Sequence, residues 1–196
     1  MDSYFTLKAG ASGSYKESGS KFISLAIPVG KEEEIEKHLQ DLRKKYFDAT
    51  HICYAYLLEG NPPVSKAHDA GEPRHSAGPP ILNQIRSFGV SDALVVVVRY
   101  FGGTKLGLPG LSHAYKSAAR SALEKAGKAE KFLTEKLIIR FDFEVTGQVM
   151  KLMHSWKPWI LESRFDDLNT IFLTIRRNQA GEFRKRLAQI QGLSFQ

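Results

Sequence analysis

A long apolar run that ends in a glycine-rich turn is the sequence feature that most constrains this fold. Residues 93–98 read ALVVVV, and a stretch of mostly β-branched residues without polar interruption predicts a strand that is buried on both faces. Residues 99–110 (RYFGGTKLGLPG) follow it directly, and a helix is predicted from about Leu111 to Ala126. The chain therefore bends from a buried strand through small residues into the start of a helix.

The chemistry of this bend favours a negatively charged ligand. Glycine lets the backbone turn sharply and approach a ligand closely, and a helix N-terminus offers unpaired N–H donors and a partial positive charge. With the basic side chains of neighbouring segments, the predicted anion- or nucleic-acid-binding set is Arg74, His75, Arg99, Gly102, Gly103, Lys105, Gly110, His113 and Lys116. The alternative interpretation is that these glycines only shape a tight strand-to-helix turn.

No nucleotide-cofactor motif accompanies the glycines. Gly102 and Gly107 have P-loop spacing, but Leu108-Pro109 stands where the lysine and the hydroxyl residue of a P-loop are required. We therefore expect no cofactor. We expect no metal site either, because His51 and Cys53 have the spacing of a strand face and the second cysteine pair of a zinc site is missing.

The charge distribution favours a polyanionic partner. The formal net charge is +7, and residues 66–128 hold nine basic against four acidic side chains, a balance of +5. The single cysteine, Cys53, is typical of a chain in a reducing compartment. Without an apolar run of membrane-spanning length or a signal-like N-terminus, the sequence predicts a cytoplasmic protein with no membrane partner, and it leaves the oligomeric state open.

Two domains of the α+β class are predicted, residues 1–130 and 131–196, joined by a linker at 127–134. For the first domain the pattern predicts a loop or loose hairpin at 9–20, strands at 22–27, 50–58 and (short) 64–67, and helices at 31–47 and 79–88. For the second it predicts a strand at 136–144, a helix at 146–155, strands at 159–164 and 170–176, and a helix at 180–190. That β-α-β-β-α order suggests a ferredoxin-like sandwich.

The loop between residues 60 and 78 carries an alternative, enzymatic hypothesis. Asp69 and Glu72 would serve as an acid/base pair, with His75 beside them, in a hydrolase or an enzyme of phosphorylated substrates. Cys53, with His51 as its base, is a further candidate nucleophile. Charged loop residues beside a basic helix more often form ion pairs, so we prefer the non-enzymatic interpretation. A protein-interaction module is a third hypothesis.

Four segments together resemble the YigZ/IMPACT family. They are residues 19–22 (GSKF), 48–56 (DATHICYAY), 69–73 (DAGEP) and 95–107 (VVVVRYFGGTKLG), the last continuing to Leu111 and Ala114-Tyr115. The resemblance spans residues 15–126, and the remainder is similar to the C-terminal ferredoxin-like domain of bacterial members. It implies a first domain of ribosomal-protein-S5-domain-2-like fold and an overall similarity to domains IV and V of elongation factor G. It also implies a translation-linked role, with the ribosome or structured RNA as partner.

Two features distinguish this sequence from parts of the family. Eukaryotic members restrain a stress-kinase pathway through a large ribosome-associated activator and carry an additional N-terminal module, so we expect that partnership not to transfer. The sequence also departs from the family pattern at Ala70, His75-Ser76, Leu108-Pro109 and His113. Members usually carry arginine at the last position, and an unperturbed imidazole is mostly neutral at pH 7, so weaker phosphate binding is expected there.

Overall fold

The apolar run forms strand β6 (Ala93–Tyr100), the middle strand of a five-stranded sheet. The protein is described here by a computed structural model that covers residues 2–166 and 168–196. The other strands of the sheet are β2 (Ala11–Glu17), β3 (Ser20–Pro28), β4 (His51–Leu58) and β5 (Val64–His68). The order is β2-β3-β6-β4-β5, and β6 is antiparallel to both neighbours. Residues 93–98 are buried on both faces of the sheet, which confirms the prediction for this run.

Three helices cover the two faces of this sheet. Helix α1 (Glu32–Lys45) lies on one face, where Ile35, Leu39 and Leu42 belong to the same apolar cluster as side chains of β4 and β6. Helices α2 (Gly78–Phe88) and α3 (Gly107–Ala126) cover the other face. The side chains of β4 alternate as predicted: Cys53 packs on the α2/α3 side and Tyr54 on the α1 side.

The segment predicted as a loop or loose hairpin at residues 9–20 contains a regular strand, β2, which pairs with β3 in an antiparallel hairpin. Its small residues reflect close packing. A Cβ atom on Gly13 would lie 2.7 Å from the backbone nitrogen of Ala122 in α3 and 2.8 Å from Ser24 Oγ. The helix backbone thus approaches β2 so closely that a side chain larger than glycine would force a shift.

The segment predicted as a linker at residues 127–134 is also regular. Lys128–Phe132 form β7, which pairs with β1 (Ser3–Leu7) in a two-stranded sheet. Three of the five side chains of β7 are exposed, so no apolar alternation marks this strand in the sequence. By its contacts the chain divides into two compact units, residues 5–130 and residues 131–196 together with residues 2–4.

The second unit contains a four-stranded antiparallel sheet with two helices. Its elements are β8 (Thr134–Phe141), a 3-10 turn η1 (Phe143–Val145), α4 (Thr146–Trp156), β9 (Trp159–Arg164), β10 (Asn169–Arg176), α5 (Arg177–Leu187) and β11 (Leu193–Phe195). The strand order β11-β8-β10-β9 and the β-α-β-β-α-β sequence are those of a ferredoxin-like sandwich, as predicted. The last strand, only three residues long, is absent from the sequence-based prediction.

The turn after β6 is held against the β2–β3 hairpin at Gly102, and this contact generates a first prediction. A Cβ atom on Gly102 would overlap the backbone of Gly19 and Ser20. We expect Gly102→Ala to lower the free energy of unfolding by about 2 kcal/mol, since the backbone itself must move. Gly30→Ala is the matched control, because its nearest neighbour would be Glu34 Oε2 at 3.8 Å. Urea unfolding measures both, and equal stability of the two variants would contradict the prediction.

Candidate functional site

A cleft of about 540 Å³ opens beside the bend between β6 and α3. Helix α3 begins at Gly107, four residues earlier than predicted, and Pro109 fits its first turn because proline's fixed φ suits that position. The chain therefore turns within residues 101–106, and both the turn and the helix start border the cleft. The lining residues are Thr50, His51, Glu72, Pro73, Arg99, Phe101, Lys105, Leu106, Gly107, Leu108 and Leu111.

A buried ion pair forms part of the cleft lining. Arg99 Nη1 lies 2.6 Å from Glu72 Oε1, and the two side chains are only 6% and 2% exposed. Tyr115 of α3 donates its hydroxyl proton to the same carboxylate oxygen at 2.7 Å. A strand, a loop and a helix thus meet at one carboxylate. The positive charge of Arg99 is neutralised inside the protein and is not part of an exposed cationic surface.

His51 stands directly opposite Arg99 across the β4–β6 pairing. Its Nδ1 lies 2.9 Å from the carbonyl oxygen of Ala70, which can only accept, so Nδ1 carries the proton of this hydrogen bond. In the neutral imidazole, Nε2 is then an acceptor. It lies 3.9 Å from Glu72 Oε1 and borders the cleft.

Cys53 lies fully buried below this network. Its thiol donates to the carbonyl oxygen of Asp69 at 3.0 Å and lies 3.4 Å from the hydroxyl of Tyr115. Burial, opposed by the Tyr115 hydrogen bond, raises the pKa of Cys53 to about 12. Burial is also the main cause that raises the pKa of Tyr115 above its ordinary value. Because a cysteine nucleophile acts as the thiolate, the raised pKa argues against Cys53 in that role.

Asp69 organises the loop that leads into α2. Its carboxylate accepts hydrogen bonds from the backbone N–H groups of His75, Ala77 and Gly78, at 2.8, 3.0 and 2.8 Å. Burial alone would raise the pKa of Asp69, but these backbone hydrogen bonds outweigh it and the pKa is lowered. Asp69 is therefore engaged with the backbone and Glu72 with Arg99, whereas the enzymatic hypothesis requires both carboxylates for substrate.

The predicted anion-binding residues are distributed over several surfaces. Lys105 and Arg99 line the cleft together, but only Lys105 is exposed. Arg74 and His75 are exposed on the loop before α2 and do not line it. His113 contacts the ring of Tyr15 edge-on at 6.0 Å, and Lys116 borders a second groove, of about 360 Å³, that α2 and α3 line.

The three predicted glycines have different surroundings at the bend. The N–H group of Gly102 donates to Ser20 Oγ at 3.1 Å. Gly103 has φ +87° with open space around it, a backbone conformation that favours glycine. Gly110 lies within α3, where a Cβ atom would approach Leu106 Cβ to 3.1 Å. Gly102 and Gly110 thus meet steric demands of the fold, and the open surroundings of Gly103 leave room for a ligand.

Sequence reasoning missed the partnership of Glu72 with Arg99 and the apolar wall of the cleft. The pair is 27 residues apart in the chain, and no local pattern connects the loop to the strand. The wall consists of Phe101, Leu106, Leu108 and Leu111, which are interspersed in the chain with glycines, Thr104, Lys105 and Pro109. The basic residues of the bend, Arg99 and Lys105, and the alternating pattern of β4, which places His51 on the same face as Cys53, each pointed to part of the site.

Two further findings concern residues 2–166 and 168–196. Within them, no group of three or more His, Cys, Asp or Glu side chains is placed to hold a metal ion. Nor does any helix in these ranges have the length and apolar character needed to cross a bilayer.

The buried ion pair generates a second prediction. Glu72→Gln leaves the Arg99 guanidinium buried without its counter-charge, so we expect the free energy of unfolding to fall by about 3 kcal/mol. Glu124→Gln is the control, since Glu124 pairs with Arg120 at 2.6 Å on the exposed face of α3, where ion pairs contribute little. Urea unfolding of both variants measures this difference in stability. If Glu72→Gln lowers the free energy of unfolding as little as the control does, the prediction is contradicted.

The hydrogen bonds of the Asp69 carboxylate generate a third prediction. Asp69→Ala removes three hydrogen bonds to backbone N–H groups, and we expect a loss of about 2 kcal/mol at pH 7. Because the folded pKa is lowered, this contribution is present above the unfolded value of about 3.9 and disappears as pH falls through the folded pKa. The stability difference between wild type and variant should therefore shrink in acid. Asp41→Ala, at an exposed position of α1, is the control for stability at pH 7 and should cost much less, as measured by urea unfolding of both variants.

Comparison with known proteins connects this geometry to a family. The family model of the Impact N-terminal domain matches residues 18–123. The IMPACT family member YvyE of Bacillus subtilis is 34% identical over 149 residues, which covers 76% of this chain and 69% of that protein. The IMPACT family member YigZ of Escherichia coli is 27% identical over 180 residues, 90% of this chain and 88% of that protein.

A solved structure supports the fold. A crystal structure described as that of an hypothetical protein covers 100% of this chain and 97% of its own, with a TM-score of 0.75 at 24% identity. At that identity the likeness shows the fold alone. The family model and the YvyE match go further, since the model covers residues 18–123 and contains every residue that lines the cleft. This chain belongs to the IMPACT family.

Proposed function

We propose that this chain is a translation-linked regulator that binds RNA, free or in the ribosome, through the bend between β6 and α3. We define this bend, residues 101–110, as the cationic corner. The family supports the link to translation, because resemblance to it implies such a role and membership follows from the comparisons. The surface chemistry of the corner supports RNA as the ligand.

The observation that carries the proposal is Lys105 beside the start of α3. Lys105 is exposed, and none of the carboxylates in residues 2–166 and 168–196 forms an ion pair with it. Helix α3 has no acidic residue in its first turn and no side-chain cap, whereas α1 begins with three glutamates. The helix dipole and the lysine therefore act together on an incoming anion, and the carboxylate of Glu72, which lines the same cleft, is neutralised by Arg99.

The wider charge pattern extends this site. Of the nine basic side chains in residues 66–128, Arg99 and Arg120 are neutralised by Glu72 and Glu124. Arg74, Lys105 and Lys116 are exposed and are not among the ion pairs of the described chain. Exposed, unneutralised cations on the loop and on α3 suit a long polyanion that touches several of them.

The salt dependence of RNA binding gives a fourth prediction. Lys105→Glu should weaken the binding of a short single-stranded RNA and reduce the slope of log K against log salt by about one, since one phosphate contact is lost. Lys37→Glu is the control, because it makes the same charge change at an exposed position of α1, on the opposite face of the sheet. It should leave the slope near the wild-type value. Filter binding or fluorescence anisotropy over a salt series measures both.

Two outcomes would count against this assignment. Unchanged affinity and slope in Lys105→Glu would remove Lys105 from the site. Co-sedimentation with ribosomal particles that survives nuclease treatment would favour the protein-interaction hypothesis, whereas loss of co-sedimentation on nuclease treatment is expected if RNA is the ligand.

A further inference from the structure

The cleft beside the cationic corner is lined by apolar and polar groups that phosphate binding does not require. A phosphate requires N–H donors and positive charge, which Lys105 and the start of α3 supply. The cleft adds an apolar wall of Phe101, Leu106, Leu108 and Leu111. At about 540 Å³ it lies within the size range of small-molecule sites, which combine apolar walls with a few directed polar groups.

Two polar residues of the cleft lining have hydrogen-bonding capacity to spare. In the described chain the Arg99 guanidinium donates through Nη1 to Glu72, its Nε–H is enclosed without a partner, and 6% of the side chain is exposed. Buried donors are seldom left unused in folded proteins. His51 Nε2 is an acceptor in the neutral ring, because Nδ1–H is engaged by Ala70. The two residues are direct neighbours across β4 and β6, and both line the cleft.

A nucleobase matches this combination. Its two faces are apolar and stack on aromatic rings, and its edge carries donors and acceptors next to one another. Phe101, which lines the cleft and is 46% exposed, offers the aromatic ring, whose centroid lies 5.5 Å from Arg99 Cζ. Lys105 lies on the same lining, where the phosphate attached to such a base would need a cation.

We propose that the cleft binds the base of one unpaired nucleotide, with its edge on Arg99 and His51 Nε2, its face on Phe101 and its phosphate on Lys105. This rests on the proposed function and deepens it, since it names the RNA class: single-stranded or looped RNA whose bases are free to leave the stack. Bases inside a duplex are paired and stacked and cannot enter the cleft.

Matched nucleic acids separate base binding from phosphate binding. A short single-stranded RNA, its abasic counterpart and a duplex of the same length present the same backbone phosphates per strand but differ in available bases. At one salt concentration, wild-type protein should bind the single strand about fivefold or more tightly than the abasic strand, the size of one stacking contact. The duplex, like the abasic strand, should lack the additional affinity that a free base contributes, because its bases are paired and stacked.

Two variants test the cleft itself. Phe101→Ala and Leu108→Ala, both at exposed positions of the lining, should abolish the preference for RNA over the abasic strand, so that the ratio of the two affinities falls to about one. Phe47→Ala is the control, because Phe47 is 85% exposed, follows α1 and does not line the cleft. Thermal unfolding verifies that each variant is folded, and Leu108→Ala serves alone should Phe101→Ala be unstable.

The outcomes distinguish this inference from the function on which it rests. Equal, salt-dependent affinity for RNA and the abasic strand would overturn the base pocket and leave the phosphate site intact. Salt-dependent binding of neither strand would overturn both. Free adenosine monophosphate that binds the wild type as tightly as the single strand does, and loses that binding in Leu108→Ala, would overturn the polymer as occupant in favour of a free nucleotide.

Discussion

The ion pair between Glu72 and Arg99 is the interaction around which the candidate site is organised. Two charges that are 98% and 94% buried are favourable only when their geometry and remaining hydrogen bonds are good. Here one carboxylate oxygen receives both the guanidinium and the hydroxyl of Tyr115. The pair therefore fixes the loop before α2 and the end of β6 relative to α3. The cleft lies beside this carboxylate, which forms part of its lining.

The same interaction separates structural charge from charge that is available to a partner. Arg99 and Lys105 are only six residues apart and look equivalent in the sequence. The pairing register of β6 places Arg99 on the face that α3 covers, where Glu72 neutralises it. Lys105 lies beyond the strand, in the exposed turn. The net charge of +7 thus overstates the cationic surface, and the electrostatics of the corner depend on Lys105 and on the helix terminus.

Much of the secondary structure could be predicted because its buried apolar residues recur at regular spacings in the sequence. The run 93–98, the alternation of β4 and the helical spacing of Ile35, Leu39 and Leu42 all report which face is buried. The loop or loose hairpin predicted at residues 9–20 is a regular hairpin strand, β2, whose first residues are small where α3 approaches it closely at Gly13. The prediction was incomplete for β7 and β11, whose side chains are exposed or too few to show a period.

The sequence by itself determined the central strand, the glycine-rich bend, the basic balance and the ferredoxin-like order of the second unit, because each depends on local residue type and spacing. Only the tertiary structure decided which charges remain exposed and that a cleft lies beside the bend. Those properties arise from contacts such as Glu72 with Arg99 and the proximity of His51 to both. Residues far apart in the chain meet there, and no local pattern encodes the register that brings them together.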